Sequence, residues 1–98
     1  MEIKKILEGE KLTLAIVGRL DTTTAPEFEA EVRTCLDGVK ELVLDLEGTE
    51  YVSSAGLRVI LLTQKLMNSR GNMVIKNVCE TVKEVFDITG FSDVLTIL

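Results

Sequence analysis

Histidine and tryptophan are both absent from this 98-residue chain, and proline occurs once. The missing histidine removes a Ser-His-Asp triad, a Cys-His pair and any histidine-ligated metal site. Aromatic side chains are limited to Phe28, Tyr51, Phe86 and Phe91, so the core has to be mostly aliphatic. No long apolar run occurs either. The most apolar piece, "LRVILLTQKLM", contains Arg58, Gln64 and Lys65 and falls short of the roughly 20 residues a membrane span takes. The start, "MEIKKILEGEK", lacks the apolar segment of a secretory signal. Positive charge is also in deficit: the net charge is -5 and the basic residues are scattered. Neither nucleic acid nor an anionic membrane surface is therefore an expected partner. Only two cysteines are present, Cys35 and Cys79, far apart and without metal-ligand spacing. They read as two buried thiols in a reducing cytosol, which places the protein in the cytoplasm and predicts no metal. A phosphate-cradling glycine-rich motif is missing too, so no cofactor is predicted.

What is present reads as a folded α/β domain. Hydrophobic residues make up 46% of the chain, enough for one modest core, and residues 1–98 are expected to form a single domain. "EIKKILEGEKLTLAIVGRL" predicts a hairpin that turns at Gly9 and Glu10, with Leu12, Leu14 and Ile16 alternating along its second strand and Gly18 ending it. In "DTTTAPEFEAEVRTCLDG", Thr24 and Glu27 have capping-box spacing and Pro26 suits a first turn. Phe28, Val32, Cys35 and Leu36 recur at helical spacing, and Gly38 follows. "ELVLD" is apolar on both faces, as a central parallel strand is. A second helix is predicted over roughly Ser54–Asn68, then a strand at "NMVIKNV". A third helix follows, with Asn77 and Glu80 in capping-box spacing and Gly90 at its end, and the tail can add an edge strand. The predicted order is β-β-α-β-α-β-α-β: a mixed sheet of four to five strands with helices packed against it.

Sites in open α/β sheets form beyond the carboxyl ends of strands. Two loops qualify, "GRLDTTTAP" and "EGTEYVSSAG", and parallel strands would bring Asp21 and Ser53/Ser54 to one surface. Three readings of the serines stand side by side. A serine before a helix caps it. A hydrolase nucleophile elbow is a poor match, because Val52 stands where a glycine belongs and no histidine is available as base. A phosphorylation switch suits a helix start, where free N–H groups and the helix dipole favour negative charge. Capping and switching are compatible. Asp21 reads either as a brace of its turn or as part of the site, and Arg58 as a solvated first-turn residue or a partner contact. The second helix is apolar over a broad face, mostly core, with Val59 or Leu62 as candidates for an exposed docking patch.

"GRLDTTTAPEFEAEV", "LVLDLEGTEYVSSAGLRVI" and "VKEVFDITGFSDVLTIL" together resemble a STAS domain of the bacterial anti-sigma-factor antagonist family, from about Leu12 to the end of the chain. The resemblance implies a mixed sheet backed by helices and a protein that is not an enzyme. It also implies a GHKL-type serine-kinase anti-sigma factor as partner, held so that a sigma factor is released. The kinase would phosphorylate a serine at the start of the second helix and end the binding, and a PP2C-type phosphatase would restore it. Aligned on Gly56-Leu57, the family motif Asp-Ser-Ser/Thr-Gly-Leu puts the phosphoacceptor at Ser54. Ser53 stands in the aspartate position and Ala55 in the Ser/Thr position, which leaves Ser53 as the runner-up acceptor. The implied docking surface is Asp21, Thr22, Ser53, Ser54, Gly56, Leu57 and Arg58. A second reading, also within STAS proteins, is a non-switching accessory or scaffold subunit of a lipid-transport ABC complex or a stress-signalling assembly, with the serine only a cap.

Overall fold

A computed structural model describes every residue from Met1 to Leu98. The chain begins with the expected hairpin, β1 (Glu2–Glu8) antiparallel to β2 (Lys11–Leu20). Gly9 takes a left-handed φ of 64° at the turn, a conformation open to glycine at little cost. β3 (Glu41–Asp45) lies parallel to β2, and β5 (Asn72–Lys76) parallel to β3. The register aligns Leu12 with Leu42 and Met73, and Leu14 with Leu44 and Ile75, all buried. Side chains alternate across a pleated strand, so this register turns one face of β2, β3 and β5 into core. The helices α1 (Ala25–Cys35), α2 (Ser54–Asn68) and α3 (Glu80–Thr89) bury Phe28, Val32, Ile60, Met67, Val82 and Phe86 in the same apolar cluster. The other sheet face is less covered: Thr13, Ala15 and Val74 are half-buried and Val17 is exposed.

The α/β class and mixed sheet agree with expectation, but the element order differs in two places. "TEYV", read as loop, forms a strand, β4 (Thr49–Val52), parallel to the last residues of β2. Gly18 does not end β2. It sits at a register shift with φ 110°, its N–H donates to the Gly48 carbonyl at 2.8 Å, and pairing resumes at Arg19. This is a bulge that redirects the strand rather than a stop. At the other end, the expected edge strand is reduced to one parallel bridge, Ile75 with Ile97, after a 3-10 turn at Phe91–Asp93.

Neither predicted capping box forms. The Thr24 backbone is helical and its hydroxyl donates to the Arg19 carbonyl at 2.8 Å instead of capping α1. Asn77 lies at φ 60° and donates its amide to Asp45 Oδ1 at 3.0 Å, leaving Cys79 as the N-cap of α3. Both cysteines are free thiols, but only Cys35 is partly buried; Cys79 is exposed, contrary to the expectation of two buried thiols. Burial pushes the Cys35 thiol pKa up, with the Glu31 carboxylate adding to the effect.

Candidate functional site

Parallel pairing of β2 with both β3 and β4 delivers the two candidate loops to one end of the sheet. A backbone hydrogen bond joins them directly: Ser53 N–H donates to the Leu20 carbonyl at 2.9 Å. The start of α2 then crosses close over β2. A Cβ built on Gly56 would sit 2.6 Å from the Leu20 carbonyl oxygen and 2.8 Å from Leu20 Cγ. Gly56 is therefore required by close approach, and it sets how near α2 comes to the Asp21 turn.

The two serines have different jobs. Ser53 is the N-cap of α2, extended at φ -89° and ψ 175°. Its hydroxyl accepts from Gly56 N–H at 3.3 Å, and its carbonyl accepts from Leu57 N–H at 2.8 Å. Ser54 is the first helical residue and is exposed, and its hydroxyl makes no hydrogen bond within the chain. The first turn of α2 holds no acidic residue, so the partial positive charge at this helix end is not locally neutralised.

The neighbouring turn is braced by a carboxylate. Asp21 Oδ1 accepts from Thr23 N–H at 3.0 Å, from the Thr23 hydroxyl at 2.8 Å and from Thr24 N–H at 3.3 Å. Oδ2 faces Arg19 Nε at 3.5 Å. The Thr23 hydroxyl, chiefly, holds the Asp21 carboxyl below its ordinary pKa, with the backbone N–H groups of Thr23 and Thr24 assisting against partial desolvation. Hydrogen bonds to the charged form have this effect on a carboxylate. Asp21 is thus a fixed negative charge at neutral pH. The Arg19 guanidinium also lies 4.5 Å from the centroid of the Tyr51 ring, a cation–π contact across the β2–β4 pairing.

Thr22 and Arg58 line one groove of about 450 Å³ between α1 and α2, together with Pro26, Glu29, Ala55 and Val59. Arg58 is exposed and takes no part in the four ion pairs of the molecule. So Asp21, Thr22, Ser53, Ser54 and Arg58 gather at one end. Gly56 and Leu57 lie beneath them, Leu57 only 4% exposed, and they position the surface without forming it. Val59 is buried as well and Leu62 half-buried, so α2 carries no open apolar patch there. The residues the sequence did not single out as site neighbours are Arg19 and Tyr51, which meet only because β4 pairs with β2. No three His, Cys, Asp or Glu side chains converge as metal ligands, and no helix is long and apolar enough to cross a membrane.

The arrangement is that of a small α/β domain presenting a helix-start serine beside a buttressed aspartate, and comparison with known proteins gives it a family. The STAS domain model matches residues 2–98. The chain is 38% identical over 88 residues to BtrV of Bordetella bronchiseptica, a protein assigned as an anti-sigma factor antagonist, covering 88% of this chain and 76% of that one. It is 30% identical over 98 residues to an anti-sigma-B factor antagonist of Staphylococcus aureus, covering 97% and 90%. Among solved structures, an anti-sigma factor antagonist from Mycobacterium paratuberculosis superposes with a TM-score of 0.88 at 18% identity, over 98% of this chain and 83% of that one. The anti-sigma factor antagonist SpoIIAA in its unphosphorylated form gives 0.84 at 18% identity, over 99% and 88%. The phosphorylated form of SpoIIAA, from Bacillus, gives 0.76 at 17% identity, over 99% and 91%. The chain is a STAS domain and belongs to the family of the anti-sigma factor antagonists.

Proposed function

We propose that this protein is an anti-sigma-factor antagonist that works by partner switching and is inactivated by phosphorylation of Ser54. It acts as a single cytoplasmic domain, without catalysis and without a cofactor. In the unphosphorylated state, the surface around Asp21, Thr22, Ser53, Ser54 and Arg58 docks a GHKL-type serine-kinase anti-sigma factor, which then gives up its sigma factor. The kinase transfers phosphate to Ser54 and the complex separates. A PP2C-type phosphatase removes the phosphate and restores binding.

One observation carries this reading: the adjacent serines divide capping and availability between them. Ser53 holds the helix cap, whereas Ser54 is exposed with a free hydroxyl on the first turn. That division favours Ser54 over Ser53 as acceptor. A phosphate adds about -1.5 to -2 charges at neutral pH. It would do so on a chain whose net charge is already -5, beside an Asp21 that stays ionised. A docking surface matched to the neutral hydroxyl then meets concentrated negative charge. The helix start tolerates that charge, so the fold survives while the interface does not.

The test uses wild-type protein and Ser54→Asp as baits in native lysate, with mass spectrometry of the captured proteins. A serine kinase held by the wild type and lost with the aspartate is the expected result. An ABC ATPase, or the same partners on both baits, would make Ser54 a plain helix residue and replace this reading with an accessory or scaffold subunit.

A further inference from the structure

The sheet order β1-β2-β3-β5 leaves β1 and β5 as its two edges, and the chain treats them differently. The outer side of β5 is engaged by the C-terminal tail: Ile75 N–H donates to Thr96 at 2.8 Å, and Leu98 N–H donates back to Ile75 at 2.9 Å. β1 pairs only with β2, so its outer backbone groups face solvent over seven residues. Unpaired edges of this length invite another strand. The edge is also apolar towards its C-terminal end, with Ile6 54% and Leu7 64% exposed. Ile6 begins a row across the less covered sheet face that continues through Thr13, Val43 and Val74.

We propose that β1 pairs antiparallel with β1 of a second copy, about a two-fold axis at Ile6, to join two sheets into one. Charge selects the occupant and the register. With the axis at Ile6, Ile6 meets Ile6 of the second copy. Lys4 then faces Glu8 of the second copy, and Glu8 faces its Lys4. Lys4 and Glu8 are exposed and have no ion-pair partner within the chain. Lys5, opposite Leu7 of the second copy, can lay its aliphatic stem along that side chain. Neighbouring registers are worse. An axis at Lys5 sets Lys5 against Lys5 and Glu2 against Glu8, and an axis at Leu7 sets Ile6 against Glu8. Like charges directly opposite destabilise a strand pair, and opposite charges stabilise it. Lysines on an edge usually discourage pairing; here the sequence supplies the matching glutamate on the same strand, four residues on. The segment Lys4–Glu8 lies beside Lys11–Ala15 of β2, away from the end that carries Asp21, so this contact is independent of the Ser54 surface.

Sedimentation velocity on the intact chain from micromolar to millimolar concentration tests the proposal. A concentration-dependent dimer is expected. Ile6→Lys should weaken it more than tenfold, and Lys4→Glu, which turns both symmetric ion pairs into like-charge pairs, by about tenfold. The double variant Lys4→Glu/Glu8→Lys exchanges the charges and should recover wild-type dimerisation. Far-UV circular dichroism and thermal melts check that each variant keeps the fold. A chain that stays monomeric at millimolar concentration would overturn the proposal. So would a dimer indifferent to Ile6→Lys, or a double variant no better than Lys4→Glu.

Discussion

Two helices in this molecule start at the same end of the sheet, and their starts are built in opposite ways. The turn into α1 is saturated: one carboxylate oxygen of Asp21 takes three short-range hydrogen bonds, and the other faces Arg19. The turn into α2 has backbone bonds but only one side-chain bond, the longer one from Gly56 N–H to the Ser53 hydroxyl at 3.3 Å, with Ser54 left exposed beside it. A saturated turn supplies a rigid, permanently charged wall. A lightly held start with a free hydroxyl can accept a new negative charge without unfolding, because helix starts favour anions. The contrast separates the fixed part of the surface from the part that can change.

The largest expected effect lies on the changeable side. Ser54→Asp should lower affinity for the serine-kinase anti-sigma factor about a hundredfold, about 2.7 kcal/mol, while leaving the melting temperature close to that of wild type. Calorimetric titration beside a thermal melt reads both, and a fall in stability equal to the fall in affinity would erase the contrast between the turns. Next is the link between them. Gly56→Ala drives a Cβ against the Leu20 carbonyl at 2.6 Å and should cost about 2 kcal/mol in urea unfolding. A neutral result would mean that α2 is not pinned to the Asp21 turn.

The caps give a smaller, comparative effect. Ser53→Ala should cost about 1 kcal/mol, as lost N-caps do, and Asp21→Ala should cost more, because more hydrogen bonds depend on it. Equal costs would break the comparison. The smallest effect is a titration. Thr23→Val removes the main hydrogen bond to the Asp21 carboxylate and should bring its pKa back towards the ordinary value, read by carbon-detected NMR. The sign follows from the depressed folded value. The turn's contribution is fully present above the unfolded carboxylate pKa of about 3.9 and is lost as pH falls through the lower folded value. Thr23→Val should therefore lower stability at neutral pH, leave it unchanged in strong acid, and so flatten the acid limb between them.

Periodicity made most of the framework legible. Leu12, Leu14 and Ile16 alternate on β2 and are buried, the doubly apolar Leu42–Leu44 run is the central β3, and α2 spans Ser54–Asn68 as expected. What stayed hidden was set by contacts distant in sequence. β4 is four residues long, and its pairing begins beyond a glycine bulge in β2, so no local pattern announces it. The Arg19–Tyr51 contact was hidden with it. Capping-box spacing matched twice and failed twice, because Thr24 found the Arg19 carbonyl and Asn77 found Asp45, partners outside the four-residue motif. The serines were legible as a pair, but the division between them depends on backbone geometry at one residue. Leu57 was placed on the docking surface by motif alone, whereas its helical position turns it into the core.

The most direct test of the central claim is a titration of the serine-kinase anti-sigma factor into this protein in two states, unphosphorylated and stoichiometrically phosphorylated at Ser54, with the site confirmed by peptide mass spectrometry. A partner switch at Ser54 predicts tight binding to the first and about a hundredfold weaker binding to the second. Equal affinity for both would contradict it.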